Sequence, residues 1–164
     1  MKLLVTLFAA VLFSGCVAQT EYQNLQGDQQ IQVVEQAYAL CKGKVDSTPE
    51  AIRLGEYFVL GKNKNANYLG KIAHAKHATD EQISDIHNYH AELKICRDQA
   101  VNELQSVNHD YATLVSDYFT EDDRITADVV NRKITIGEAN KKVKKLEYYY
   151  SLKGYKMNEV PVTQ

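Results

Sequence analysis

Two histidine pairs, His74-x-x-His77 and His87-x-x-His90, have the spacing most readily turned to chemistry. Side chains three residues apart share a helix face. If the segments on either side of Thr79 pack against each other, four imidazoles converge, with Asp80, Asp85 and Glu92 near enough to add oxygen. Neutral imidazole in such an arrangement suits Zn²⁺ or Cu²⁺. The competing reading is structural. His74 and His77 sit in a lysine-rich stretch, KIAHAKH, and His90 falls on an apolar seam, where a hydrogen-bonded core histidine is the commoner outcome.

A second cluster is basic and aromatic. Lys141, Lys142, Lys144 and Lys145 precede Tyr148 and Tyr149. Such a surface suits anionic lipid head groups, lipopolysaccharide or an acidic partner. The same lysines lie off the Val143–Leu146–Tyr150 stripe, as an ordinary solvated helix face would place them. The chain has no Gly-x-Ser-x-Gly, no His-Glu-x-x-His and no phosphate loop, so the expectation is a protein without catalytic residues. A hydrolase with residues dispersed along the chain is the third reading. The net charge of −2 supplies no global field to recruit nucleic acid.

The N-terminus bears on location. Lys2 leads into the apolar run Leu3–Phe13, shorter than the roughly 20 residues of a membrane-spanning helix, and then two small residues precede Cys16. A segment of this make-up is an export signal. Leu12-Phe13-Ser14-Gly15-Cys16 resembles the lipobox of bacterial lipoproteins. The resemblance implies cleavage before Cys16, a diacylglycerol on its sulfur and acylation of the new amino group. With Val17 rather than Asp following, it also implies an outer-membrane address in a Gram-negative envelope. It covers only the first 16 residues. The alternative is ordinary cleavage at Cys16-Val17-Ala18, which releases a free periplasmic or secreted protein. Either route leaves Cys41 and Cys96, and an even pair in an exported chain predicts a disulfide.

These residues need elements to position them, and the patterning predicts helices throughout. With 164 residues, 45% of them hydrophobic, there is enough chain for one folded domain, and only two prolines interrupt it. Ile31, Val34, Tyr38 and Cys41 form one stripe of a first helix, with Gly43 as its expected stop. Ser47-Thr48-Pro49-Glu50 restarts a helix over Pro49–Leu60, and a short one is expected over Ala66–Lys76. Thr79 and Gln82 make a capping box. From Ile83 to Tyr118 apolar positions then alternate at three and four, which predicts one helix of about 40 residues. Thr120 begins a further helix towards Val130. A capping box at Thr135 and Glu138 opens the last, ending near Gly154, and makes the turn of a C-terminal helical hairpin.

The expected fold is therefore all-α, a helical bundle built around one long helix with a C-terminal hairpin and one disulfide. Residues 1–15 are the signal peptide, 16–30 the lipidated cysteine and polar tether, 31–156 the helical domain and 157–164 a tail. The expected role is a non-enzymatic structural, accessory or binding lipoprotein whose partner is an envelope protein or glycan. The rival is a periplasmic Zn- or Cu-binding protein using the histidine pairs.

Overall fold

Where apolar residues recur at three and four, the chain is helical, and the loops carry the caps. The computed structural model describes the backbone over residues 15–60 and 65–158 and side chains over 27–60 and 65–154. Most of the stretch expected to be a signal peptide, the side chain of Cys16 and the end of the tail lie outside the described residues. Among the described residues there are six helices and no strand: α1 (Gly15–Val45), α2 (Pro49–Leu54), α3 (Tyr68–Ile72), α4 (Asp80–Val107), α5 (His109–Val130) and α6 (Ile136–Asn158). None of the helices searched is long and apolar enough to cross a membrane.

Helix α1 begins at Gly15, so the polar stretch expected to be a tether is helical as well. Its Gln and Glu residues are good helix formers. Gly43 does not stop the helix, which continues to Val45. The predicted stripe faces inward: Val34 and Val45 are buried while Val33 and Leu40 face solvent. Cys41 is bonded to Cys96 of α4, with the Cα atoms 5.8 Å apart. Thr48 then caps α2, its hydroxyl accepting from the Ala51 N–H at 3.3 Å. Helix α2 ends at Leu54, short of the expected Leu60. The chain turns there, and Phe58 and Val59 reach the core from outside any helix.

The largest departure lies in the long seam. Helix α4 is long, but it stops at Val107, and the continuation of the seam is α5. Asn108 separates them in an extended conformation. Its N–H donates to Leu104 O at 2.8 Å, closing α4, and its side-chain oxygen accepts from the Tyr111 N–H at 2.9 Å, opening α5. One residue thus ends one helix and starts the next. The chain reverses, and α5 lies antiparallel to α4. Helix α5 then runs unbroken through Thr120, whose hydroxyl donates to Ser116 O at 2.9 Å, so no new helix starts there.

The C-terminal hairpin is present. Arg132 takes a left-handed conformation in its turn (φ 53°), and Thr135 and Glu138 exchange the reciprocal hydrogen bonds of a capping box. The α3–α4 connection packs closely beneath the start of α6. Ile136 N–H donates to Lys76 O and Gly137 N–H to His74 O, both at 2.9 Å. A Cβ on Gly137 would lie 2.7 Å from His74 O and from Ile72 O, so only glycine permits this approach. Helix α6 passes through Gly154 to Asn158. Fully buried Asn140 ties it to the α2–α3 connection and to α3, accepting from Val59 N–H at 2.8 Å and donating to Tyr57 O and Lys71 O at 2.9 Å.

In chain order α1, α4, α5 and α6 run alternately up and down. The N-terminal part of α1, the Asn108 turn and the C-terminal part of α6 therefore share one end of the bundle. The main core lies towards the other end, around Leu54, Ile86, Leu93, Val129 and Ile136. A smaller cluster of Val34, Ala100, Leu104 and Ala112 lies near the turn.

Candidate functional site: a charged network beside an interior cavity

Arg97 occupies a seam position on α4, in register with apolar neighbours, and is only 7% exposed. A buried guanidinium requires partners. Two come from α5: Asp122 bonds one terminal nitrogen, and Asp123 accepts from the other at 2.6 Å. The guanidinium carbon lies 4.9 Å from the centre of the Phe119 ring, and Tyr38 of α1 packs on that ring from 5.6 Å. Burial works against the Arg97 cation, but Asp122 and Asp123 outweigh it and hold its pKa above the ordinary value. Arg97 Nε has no hydrogen-bond partner among the described residues.

His90 lies two turns of α4 before Arg97. Its Nε2 is 3.1 Å from Thr126 Oγ1, and its Nδ1 is 3.7 Å from Asp123 Oδ1. Burial, helped by the nearby Arg97 charge, pushes the imidazole pKa below its ordinary value, although Asp122 and Asp123 oppose the shift. The ring is thus a neutral hydrogen-bonding group near pH 7. Burial likewise raises the phenols of Tyr38 and Tyr118.

A cavity of about 140 Å³ lies beside this network. Its floor is the α4–α5 hairpin, with Ile86 and Leu93 from one arm and Ile125 and Val129 from the other. Tyr38 of α1, Val143 of α6, Leu54 and Phe58 line it as well. Arg97, His90 and Asp122 supply its polar side. Lys42 and Glu147, each about 30% exposed, form its rim between α1 and α6.

The four predicted histidines do not gather into one cluster. His74 meets the edge of Tyr57, and His77 Nδ1 lies 3.0 Å from Ile134 O. His87 is exposed on α4, while His90 is engaged with Thr126. Among the described residues no group of three or more His, Cys, Asp or Glu side chains is placed to hold a metal ion.

The basic cluster is split. Lys142 lies 3.5 Å from Asp128, and Lys144 pairs with Glu147 at 2.8 Å. Lys141 and Lys145 are exposed. Tyr148 and Tyr149 are exposed by 67% and 51%, at the end of the bundle from which α1 extends. Lys153 stacks over the Tyr149 ring at 4.6 Å, and Tyr150 turns inward to meet Tyr118 edge-on at 5.5 Å.

Sequence patterning alone did not reveal the Arg97 network. Its one signal was a charged residue on an apolar seam, which must find a counter-charge somewhere in the fold. Together these elements define a disulfide-bridged, all-α bundle with a charged interior. No protein-family model, curated protein or solved structure matches the chain.

Proposed function

We propose that the protein is an exported lipoprotein, anchored to the outer membrane through Cys16, that serves as a non-enzymatic binding and structural module of the cell envelope. One observation carries the reading: Cys41 and Cys96 are bonded to each other. Such a bridge fits an oxidising compartment. It leaves Cys16 as the odd cysteine, directly after an export-type segment and two small residues. Two or three acyl chains there give effectively permanent attachment, whereas one chain anchors only marginally.

The exposed Tyr148 and Tyr149, with Lys145 beside them, lie at the same end as the N-terminal part of α1. This face is the proposed contact for another envelope component, a protein or glycan. Two measurements test the reading. Mass spectrometry of the membrane-extracted protein should find an acylated Cys16 as the first residue, and Cys16→Ala should move the protein out of the membrane fraction. An unmodified N-terminus at Gln19 would replace this reading with a free periplasmic protein. For the contact face, Tyr148→Ala with Tyr149→Ala should reduce recovery of a partner from crosslinked membranes without changing the melting temperature.

A further inference from the structure

We infer that the interior cavity and its mouth bind a free α-amino acid with a large apolar side chain, the side chain inside and the zwitterionic head between Lys42 and Glu147. Volume sets the size of the enclosed part. About 140 Å³ holds one benzene-sized group. Leu54, Phe58, Leu93, Ile125 and Val143 give that group apolar surface. Apolar walls with a few charged groups are the usual make-up of a small-molecule site.

The mouth sets the head group. Helix α1 packs on α4 and α6 on α5, and Lys42 and Glu147 line the cavity from the two helices that flank its opening. Both reach solvent, with side chains 32% and 29% exposed. Each already has a partner, Asp46 for Lys42 at 2.6 Å and Lys144 for Glu147 at 2.8 Å. Those pairs leave bonding capacity to spare. An ammonium carries three donors and a carboxylate about four acceptor sites, so Lys42 can also meet a ligand carboxylate and Glu147 a ligand ammonium. The surrounding charges do not favour a lone anion. Lys42, Lys144 and Arg97 are matched by Asp46, Glu147, Asp122 and Asp123, which leaves no positive excess. A lone anion would face Glu147 and a lone cation would face Lys42, whereas a zwitterion turns each charge to its opposite.

The test uses the full chain and four probes. L-phenylalanine has both charges and the ring, phenethylamine lacks the carboxylate, hydrocinnamate lacks the ammonium, and glycine lacks the ring. Ligand-observed NMR and thermal melting at neutral pH should show phenylalanine binding about tenfold more tightly than either singly charged probe, the margin of one charged hydrogen bond. Glycine should not bind. Two variants at the mouth should reorder the probes. Lys42→Met leaves Asp46 without its cation, and should weaken phenylalanine about tenfold while strengthening phenethylamine. Glu147→Gln leaves Lys144 without its carboxylate, and should weaken phenylalanine while strengthening hydrocinnamate. Val143→Phe enlarges a side chain that lines the cavity and should abolish phenylalanine binding. No binding of phenylalanine would overturn the inference, as would equal binding of glycine or of either singly charged probe. An unchanged order of probes in both mouth variants, or unchanged affinity in Val143→Phe, would overturn it as well. None of these readouts depends on Cys16.

Discussion

Arg97 and Asp122 form an ion pair inside the bundle that joins the two arms of the α4–α5 hairpin. The guanidinium side chain is 9% exposed and the carboxylate 16%, so neither is freely solvated. Removing one partner leaves the other desolvated and uncompensated, whereas replacing both by apolar groups of similar volume is often harmless. Arg97→Met should therefore cost about 3 kcal/mol in urea unfolding. Arg97→Met combined with Asp122→Leu should recover most of that loss. Equal losses in the single and double variants would show that the cation's packing on Phe119, rather than its pairing, is what matters.

The bridge between Cys41 and Cys96 closes a loop of 55 residues. Chain-entropy reasoning gives about 4 kcal/mol for its removal. Cys41→Ser with Cys96→Ser should lower the urea midpoint accordingly, with the helical signal in circular dichroism kept at low denaturant. Neither cysteine should react with a thiol reagent in the native, unreduced protein.

His90 makes the fold acid-sensitive. Its folded pKa lies below the ordinary value because it is buried, so the unfolded chain binds the proton more readily. Its contribution to stability is fully present above the ordinary histidine pKa of about 6.5 and declines as pH falls below it. The groups facing the ring are Arg97 and His87, which disfavour its charge, and Asp122 and Asp123, which favour it. Unfolding midpoints should drop between pH 7.5 and 5.5, and His90→Gln, which keeps a polar group near Thr126, should flatten that drop. An identical pH slope in the variant would assign the effect to other groups.

Asn108 caps α5 through its side chain. Asn108→Ala should cost about 1 kcal/mol, while Asn108→Asp or Asn108→Ser should lie within a few tenths of the parent. Chemical denaturation resolves a difference of this size.

Local signals were the legible ones. The capping boxes at Thr79 and Thr135, the Ile31–Cys41 stripe and the C-terminal hairpin all follow from residues within a turn or two of each other. The cysteine pairing was legible because only two cysteines remained once Cys16 was set aside. The break at Asn108 was hidden because both arms of the hairpin bury their stripes against shared neighbours, so the three-four spacing runs through the turn undisturbed. Asparagine also does not forbid a helix as proline does. The partners of Arg97 were hidden for a different reason. Asp122 and Asp123 look locally like the acids of a helix's first turn, and only the reversal at Asn108 brings them to the guanidinium. The end of α2 was set by the core, which draws Phe58 and Val59 inward at the expense of two more helical turns.

The position of the bridge along α1 also decides how the molecule responds to tension. A pull on the N-terminal end of α1 can peel that helix from the α4–α5 hairpin only as far as Cys41. There the force passes through a covalent bond into the middle of α4. The chain between the two cysteines, which includes α2, α3 and the first half of α4, is then shielded from extension. Only the reduced protein can be drawn out to its full contour length.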